Sequence, residues 1–124
     1  FWERINNLEI FSNTKNTLVR VVIPPSKCIN LMKYLDHGYK YYIDWCGSLF
    51  WIEISDMSEE KLLSIKNYIT KLGGYLTVIK NSENSAPLKD IFTIDETRLN
   101  ISKKIKESFD PKRIFNPGKM YRSI

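Results

Sequence analysis

Short runs of apolar residues alternate along the chain with stretches of helical spacing. Four runs are rich in β-branched and aromatic residues, as strands are: 17–23, 39–46, 48–54 and 75–80. Pro24 and Pro25 end the first run, because proline cannot donate to a strand ladder. Gly47 separates the second run from the third, which predicts a tight hairpin.

The stretch after the first strand has a helical pattern. Ser26 offers an N-cap hydroxyl, and Ile29, Met32 and Leu35 recur with a spacing of three. We therefore expect a short helix that ends near Asp36 and lays its apolar stripe on the sheet.

A second helix is predicted between the third and fourth strands. Asp56 with Glu59 resembles a capping box, and Ser58 is a rival N-cap. Gly73 and Gly74 end the helix. Its apolar face is formed by Leu62, Ile65, Ile69 and Leu72.

A polar segment, residues 81–87, is expected to be an exposed loop, and a last helix is predicted from about Asp95 to Phe109. Ile101, Ile105 and Phe109 share one face of it, because residues four apart are neighbours on a helix. The opposite, solvated side is expected to carry Lys103, Lys104 and Lys106.

The element order is β-α-β-β-α-β, which predicts an α+β, ferredoxin-like fold. In this fold a four-stranded antiparallel sheet has helices on one face, here followed by the C-terminal helix and an ordered tail. Residues 1–124 are interpreted as a single domain.

Alternation along the hairpin separates two sheet faces. The face toward the helices is predicted to hold Tyr41, Ile43, Trp45, Phe50, Ile52 and Ile54. The other face mixes aromatic and acidic side chains: Tyr42, Asp44, Leu49, Trp51 and Glu53. This composition fits a partly covered surface better than one exposed to bulk water.

Composition excludes several kinds of chemistry. The chain has a net charge of +5, two cysteines without a C-x-x-C motif, and a single histidine, His37, so neither a zinc site nor a Cys-His dyad is indicated. Cys28 and Cys46 are expected to be reduced, as in the cytosol. No apolar run is long enough to span a bilayer.

Catalytic motifs are also absent from the sequence. It contains no Gly-rich phosphate loop and no nucleophile with an adjacent base. Asp44 and Glu53 fall on one predicted sheet face and could form an acid-base pair, although two solvated carboxylates are the simpler interpretation. We predict no catalytic residue.

The end of the chain contains two sequences that restrict the backbone conformation. Asp110-Pro111 should end the last helix, because a proline disfavours the helical conformation in the residue before it. Asn116-Pro117-Gly118 predicts a type II turn, with Gly118 at positive φ. Apolar residues between and after these turns indicate a segment that docks against something.

This ending carries a resemblance. Residues 109–121, FDPKRIFNPGKMY, resemble the FDP-x-x-(I/L)-(F/L)-NPG-(K/R)-M terminus of FAD-linked oxidases of the vanillyl-alcohol oxidase superfamily. Residues 44–51, DWCGSLFW, are similar to the E-W-G-G-A-L-R-W hairpin of the FAD-binding subunit of glycolate oxidase. Residues 1–4 and 18–24 fall where that subunit has similar segments.

The resemblance implies a C-terminal, cap-like domain whose preceding FAD-binding domain is not in this chain, which begins with Phe1. FAD would be held mainly by that missing domain. Asn116, presented by Pro117 and Gly118, would contact the flavin through its amide, which can both donate and accept. The interpretation from the residues alone is that Asn116 caps its own turn.

The resemblance also implies partner subunits and a cellular location. The parent protein would be a subunit of a cytoplasmic complex with another flavin subunit and an iron-sulfur subunit, and this complex would be either free in the cytoplasm or peripheral at the inner face of the membrane. It would take part in FAD-dependent oxidation of a small 2-hydroxy acid, and this chain alone is expected to be inactive.

The cap sheet of such proteins helps to form the substrate cavity. Candidate cavity residues are Arg20, Tyr42, Asp44, Trp51 and Glu53. Phe50 stands where the hairpin pattern has arginine, which we expect to remove an anion partner for a substrate carboxylate. Arg20, on the adjacent first strand, either replaces that partner or is simply solvated. The histidine-rich metal site of some superfamily members is not carried over, because His37 is the single histidine.

Two other classes stay open from the sequence. An RRM-like module that binds single-stranded nucleic acid has the same element order, but no segment matches its K/R-G-F/Y-G/A-F-V-x-F/Y motif and acidic residues fall on the presumed binding face. A small-molecule-binding regulatory domain is the other, and it would be expected to dimerise.

Overall fold

The computed structural model describes residues 1–35, 38–83, 88, 90–119, 121, 123 and 124. The strands in this part of the chain are β1 (Thr17–Val22), β2 (Lys40–Asp44), β3 (Leu49–Ile54) and β4 (Tyr75–Lys80). The α-helices are α1 (Trp2–Asn6), α2 (Cys28–Leu35), α3 (Glu59–Lys71) and α4 (Glu96–Phe109). Short 3-10 turns occupy Glu9–Phe11, Pro25–Lys27 and Trp45–Gly47.

The four strands form one antiparallel sheet in the order β2-β3-β1-β4. With α2 between β1 and β2 and α3 between β3 and β4, this is the expected ferredoxin-like α+β arrangement. The fold prediction is therefore confirmed, including the four strand runs and the last two helices.

The core lies between one sheet face and the helices α2 and α3. β1 and β3 contribute alternate residues, as their pairing Val19↔Ile52 and Val21↔Phe50 shows, and all four of these side chains are fully buried. α3 buries Leu62, Ile65 and Ile69, as its apolar spacing predicts. Further members of the core are Ile23, Leu31, Leu35, Ile54, Met57, Leu76 and Val78.

The predicted apolar stripe of α2 is partly wrong. Ile29 is 66% exposed and Met32 lies at the surface, whereas Leu31 and Leu35 are buried. Residues four apart align more closely on a helix than residues in a run of three-residue steps, so the Leu31-Leu35 pair faces the sheet. The helix is preceded by the 3-10 turn that contains Ser26, and no side-chain cap hydrogen bond is formed at the start of that turn.

The hairpin between β2 and β3 is wider than predicted. β2 ends at Asp44, and Trp45, Cys46 and Gly47 all have positive φ, in a 3-10 turn rather than in the strands. This conformation turns the Trp45 side chain out of the core, where alternation had placed it, and leaves it 56% exposed.

α3 is capped by Ser58, whose hydroxyl accepts a hydrogen bond from the Lys61 backbone N–H at 3.1 Å. Asp56 has φ of 49° and is not the N-cap, so the rival prediction is confirmed. At the other end, α4 begins as expected after Asp95, whose carboxylate accepts from the Arg98 N–H at 2.9 Å.

α4, like the short α1, has no buried residue, whereas α2 and α3 each bury apolar side chains. Its predicted apolar face is formed, but Ile101, Ile105 and Phe109 are all exposed. The solvated side is also not as predicted, since Lys106 has a side chain only 18% exposed and pairs with Asp110. α4 thus has an apolar face that the described residues do not cover.

Some predictions fall on residues outside the described part of the chain. These are the helix end at Asp36 and most of the predicted 81–87 loop, of which residues 81–83 are described. Within the described residues, no helix is long and apolar enough to cross a membrane.

Candidate functional site

The sheet face opposite α2 and α3 gathers all five candidate cavity residues. We call it the open face; it carries Leu18, Arg20, Val22, Lys40, Tyr42, Asp44, Leu49, Trp51, Glu53, Tyr75 and Thr77. Its middle row runs across the four strands as Tyr42, Trp51, Arg20 and Thr77, each directly opposite the next. Directly opposed side chains in a sheet are in contact range, so this row is one continuous surface.

Arg20 is the cation at the centre of this row. Its guanidinium carbon lies 5.3 Å from the centroid of the Trp45 ring and 6.0 Å from that of Trp51. Among the described residues it has neither a hydrogen-bond acceptor nor a carboxylate partner. Arg20 is therefore a cation held by two indole faces, with its hydrogen-bonding groups available to an anion.

Asp44 caps the turn of the hairpin between β2 and β3. Its carboxylate accepts a hydrogen bond from the backbone N–H of Trp45 at 2.7 Å, as the N-cap of the 3-10 turn. This contact fixes the start of the turn that carries Trp45 over Arg20. Asp44 lies next to the Arg20 site without an ion pair to it.

Glu53 lies at the far end of the open face, under the N-terminal segment. Its carboxylate accepts from Asn16 Nδ2 at 2.7 Å and lies 3.6 Å from Lys40 Nζ, and its side chain is 14% exposed. Burial acts to raise the pKa of Glu53, but hydrogen bonds from Thr14 and Asn16 and the charge of Lys40 together lower it. Glu53 is thus held as a carboxylate among residues of its own chain.

The two acidic residues do not form a pair. Asp44 is opposite Leu49 and Glu53 is opposite Lys40, so they are four residues apart along the hairpin. At about 3.3 Å per residue this is about 13 Å, too far to share a proton. An acid-base pair between them is excluded by the register.

Tyr42 borders the N-terminal segment on the same face. Together with residues from Phe1 to Ser12 it lines an open groove of about 510 Å³. The groove is bounded mostly by apolar side chains, and Arg4 and Glu9 stand on its polar side. The row of Tyr42, Trp51 and Arg20 therefore continues into an apolar depression.

Phe50 does not bear on this face. It is fully buried and points toward the helices. An arginine at this position in the present register would lie in the core, so the expectation that Phe50 removes an anion partner from the cavity is wrong.

The second candidate region is the C-terminal tail, which is centred on Asp110. α4 ends at Phe109, as Asp110-Pro111 predicts. Asp110 is 6% exposed, and its two carboxylate oxygens accept from the N–H groups of Ile114 and Phe115, both at 2.9 Å. Lys106 Nζ completes the arrangement at 2.6 Å and also donates to the carbonyl of Phe115.

We call this arrangement the tail lock: Lys106, Asp110 and the backbone of Arg113–Phe115. The hydrogen bond from Lys106 lowers the pKa of Asp110 to about 2, against the effect of burial and with help from the N–H groups of Ile114 and Phe115. The carboxylate is therefore ionised at neutral pH, and the backbone after Pro111 is fixed by charge-assisted hydrogen bonds.

The predicted turn follows the tail lock. The N–H of Lys119 donates to the carbonyl of Asn116 at 3.3 Å, and Gly118 has φ of 68°, as the third position of a type II turn requires. The Gly118 N–H donates to the carbonyl of Ile124 at 2.7 Å, so the chain end folds back on the turn.

Asn116 is exposed and has a positive φ of 46°. Its backbone carbonyl closes the turn, whereas its side-chain amide makes no hydrogen bond to any described residue. The structure therefore gives no support within the described residues for an Asn116 side chain that caps its own turn.

Around Asn116 the tail exposes apolar side chains. We call Ile101, Ile105, Phe109, Ile114 and Phe115 the tail surface; each is more than half exposed. Phe109 is 84% exposed, although it lies one residue from the buried Asp110. The Asp110 carboxylate is thus satisfied inside the tail while these apolar side chains point outward, the reverse of a domain core.

No group of three or more His, Cys, Asp and Glu side chains able to hold a metal occurs among the described residues. Cys28, which is half-buried, and Cys46, which is exposed, are not joined by a disulfide.

Two features of the candidate site differ from the sequence predictions. The sequence predicts Asp110 only as a helix stop, although Lys106 lies four residues earlier, at the spacing of a helical ion pair. Alternation continued through the turn predicts Trp45 in the core, which the structure does not show. The glycine at position 47 was the available signal that the strand ends earlier.

Comparison with protein families gives one match. Residues 92–120 match the model of "FAD linked oxidases, C-terminal domain". The matched stretch covers about a quarter of the chain and contains α4, the tail lock and the turn at Asn116. Comparisons with curated proteins and with solved structures found no match. Over this stretch the chain is similar to the C-terminal domain of FAD-linked oxidases, which supports an FAD-linked oxidase family and FAD as its cofactor.

Proposed function

We propose that this chain is the C-terminal, cap-like domain of an FAD-linked oxidase subunit, similar to the FAD-binding subunit of glycolate oxidase. In this proposal the parent protein oxidises a small 2-hydroxy acid. The observation that carries it is the tail, which lies inside the family match and is held in one shape while its apolar residues and the Asn116 amide face outward.

The tail surface is the proposed contact with a preceding FAD-binding domain. A solvated tail gains nothing from phenylalanine and isoleucine side chains on its outside, because exposed apolar area costs free energy that burial recovers. The tail lock supports this interpretation, since a surface fixed before docking loses less conformational entropy when it binds.

The Asn116 side chain fits a flavin contact. An amide offers one acceptor and two donors, and the edge of the isoalloxazine ring has both kinds of group. When bound, FAD would supply the hydride acceptor for the oxidation. The role of Asn116 in this proposal is to orient the ring from a turn that Pro117 and Gly118 keep rigid.

Arg20 is the proposed partner of the substrate carboxylate. Its guanidinium has no carboxylate partner among the described residues and is held by Trp45 and Trp51. A guanidinium binds a carboxylate through two parallel hydrogen bonds. Tyr42 and Trp51 would form the wall beside it, Asp44 would hold the hairpin, and Glu53 would fix the N-terminal segment across the far end of the face.

The wider assembly also remains a proposal. The resemblance suggests a cytoplasmic complex with another flavin subunit and an iron-sulfur subunit. Contacts with those subunits would be made by surfaces other than the tail surface and the middle row of the open face.

The test uses the complete protein encoded by the gene. It is purified with and without the change Asn116→Ala, and its flavin absorbance is compared with its protein concentration. We expect stoichiometric flavin in the unmodified protein, and a lower flavin content or a shifted flavin spectrum in the variant. Asn100→Ala is the matched control, because it removes an amide that is also exposed, from α4. A complete protein that holds no flavin would refute the proposal.

Substrate recognition is tested in the same protein by steady-state kinetics. Arg20→Gln should raise KM for a 2-hydroxy acid by about tenfold or more, because a charge-assisted pair contributes roughly 1.5–3 kcal/mol. Arg98→Gln removes a guanidinium that is bound to Tyr75 and Asp95 at the β4 edge, and it should leave KM unchanged. Equal KM values in both variants would remove Arg20 from the substrate site.

A further inference from the structure

The first residue of α2 touches the turn of the hairpin. A Cβ atom placed on Gly47 would lie 3.0 Å from Cys28 Sγ and 3.2 Å from Cys28 Cβ. Gly47 also has φ of 89°. Both the lack of space for a Cβ atom and the positive φ favour glycine at this position. The thiol of Cys28 is therefore packed directly against the hairpin turn.

Cys46 is the neighbour of that contact point. Its Cα is about 3.8 Å from that of Gly47, as for any two consecutive residues. Cys46 is exposed and Cys28 is half-buried, and both are free thiols. The resembling hairpin has glycine at the position of Cys46, so this cysteine is a departure from that pattern and has no role in it.

The backbone at Cys46 is in a conformation that non-glycine residues rarely adopt. Its φ is 51° and its ψ is 38°, between Trp45 with φ of 51° and Gly47 with φ of 89°. Non-glycine residues at positive φ are strained, so this turn is held by its surroundings, among them the contact between Cys28 and Gly47.

We propose that Cys46 and Cys28 form a redox pair in which Cys46 is modified first by a disulfide oxidant and Cys28 resolves it. The Cys46 thiolate attacks one sulfur of oxidised glutathione and releases one glutathione thiolate. The Cys28 thiolate then attacks the Cys46 sulfur and releases the second glutathione. The two protein thiols lose two electrons and two protons, and two glutathione thiols gain them.

The order of the two steps follows from exposure. Oxidised glutathione is a bulky reagent, and Cys46 is the more accessible thiol. Cys28 is confined against Gly47 and against Met32, whose sulfur is 3.9 Å from its own. This confinement suits a resolving thiol, because Cys28 stays beside the turn and the modified Cys46 sulfur has only to approach it.

Disulfide closure has a consequence for the open face. A bond between the two sulfur atoms would constrain the backbone of the turn at Cys46, and Trp45 is the residue attached directly before it in the same turn. The Trp45 ring therefore moves relative to the Arg20 guanidinium, from which it is now 5.3 Å. An effect of this movement on substrate binding rests on the proposed function of Arg20, whereas disulfide formation does not.

The experiment incubates this folded chain with oxidised glutathione, traps remaining thiols with iodoacetamide and measures the intact mass. We expect a product about 2 Da lighter than the reduced chain, with no alkylation and no retained glutathione. Cys28→Ser should instead retain one glutathione on Cys46. The redox pair would be refuted if the chain without substitutions retained glutathione, or if iodoacetamide alkylated both of its cysteines.

Movement of Trp45 is measured by indole fluorescence of the same samples. Oxidation should change the emission, dithiothreitol should restore it, and the change should be much smaller in Trp45→Phe. A disulfide that forms without any fluorescence change would overturn the coupling to Trp45. Because no flavin or substrate is present, these results do not depend on whether the oxidase proposal is correct.

Discussion

Phe50 and Ile52 are fully buried between the sheet and the helices α2 and α3, whereas Phe109 and Ile114 in the C-terminal segment are 84% and 67% exposed. The two regions have similar residue types and differ in what holds them. The core is stabilised by apolar burial, while the tail is held by hydrogen bonds to Asp110.

The difference shows that an ordered backbone does not require a buried apolar side chain. In the tail, one carboxylate replaces the core as the organising element. The apolar side chains of the tail surface are then left for a second surface, which is the basis of the proposed contact with an FAD-binding domain. Each prediction below tests one side of this contrast.

The largest effect is expected in the core. Phe50→Ala should lower the free energy of unfolding by about 3–5 kcal/mol, because it removes a fully buried ring and leaves a cavity. Urea denaturation followed by circular dichroism measures the loss. Leu63→Ala is the control, since Leu63 is exposed on α3. A loss below about 1 kcal/mol for Phe50→Ala would contradict the assignment of the core.

A smaller effect is expected where the N-terminal segment meets the sheet. Asn16→Ala should lower the free energy of unfolding by about 1–3 kcal/mol, because it removes the 2.7 Å hydrogen bond to the covered Glu53 carboxylate. Urea denaturation of this variant is compared with that of Asn67→Ala, an exposed amide on α3.

The same interaction has a predictable pH dependence. The pKa of Glu53 is lowered in the folded state, so its contribution is fully present above the unfolded pKa and is lost as the pH falls through the folded value. The stability difference between the unmodified chain and Asn16→Ala should therefore shrink in acid. A difference that grows as the pH falls would contradict this account.

In the tail we expect a local effect. Asp110→Asn removes the charge that binds Lys106 and the N–H groups of Ile114 and Phe115. The amides of residues 114 and 115 should lose protection from hydrogen exchange, while the amides of β1 and β3 keep theirs. Simultaneous loss in the sheet would show that tail and core are one cooperative unit.

Titration gives a second measure of the tail lock. The folded pKa of Asp110 is about 2, below its unfolded value, so the lock is complete above the unfolded pKa and opens as the pH falls through about 2. The amide chemical shifts of Ile114 and Phe115 should follow this midpoint, and Asp110→Asn should abolish the titration.

The smallest effect is expected on the tail surface. Phe109→Ser should change the free energy of unfolding of this chain by no more than about 0.5 kcal/mol, because the ring is already in water. In the complete protein the same change should weaken the proposed contact with an FAD-binding domain and increase proteolysis near α4. A marked destabilisation of this chain alone would show that the tail surface is already in use.

Local patterns predicted the strands and α3 because each has its own signal: alternation for the sheet, and Ser58 with an apolar face for the helix. The site was less accessible to such reasoning. Trp45 is brought over Arg20 by three consecutive residues with positive φ, and two of these are not glycine. Such a turn depends on the neighbouring Asp44 carboxylate and also on the contact between Gly47 and Cys28, which lies far away in the sequence.

The tail shows the same limit in another form. Its turns were predicted correctly from proline and glycine, yet the direction of its apolar residues was not. Spacing predicts that Ile101, Ile105 and Phe109 share a face, and they do. Spacing does not indicate whether other residues of the same chain cover that face, because this depends on the path of the segment after the helix.

The pairing of residues 91–93 with β4 also affects how copies of this protein behave in solution. The N–H of Val78 donates to the carbonyl of Ile91 at 2.8 Å, and the N–H of Thr93 donates to the carbonyl of Leu76 at 2.9 Å. These bonds occupy one edge of the sheet, where unpaired strand groups would otherwise recruit strands of other molecules. At the opposite edge β2 is only five residues long and begins with Lys40, two features that discourage edge-to-edge aggregation.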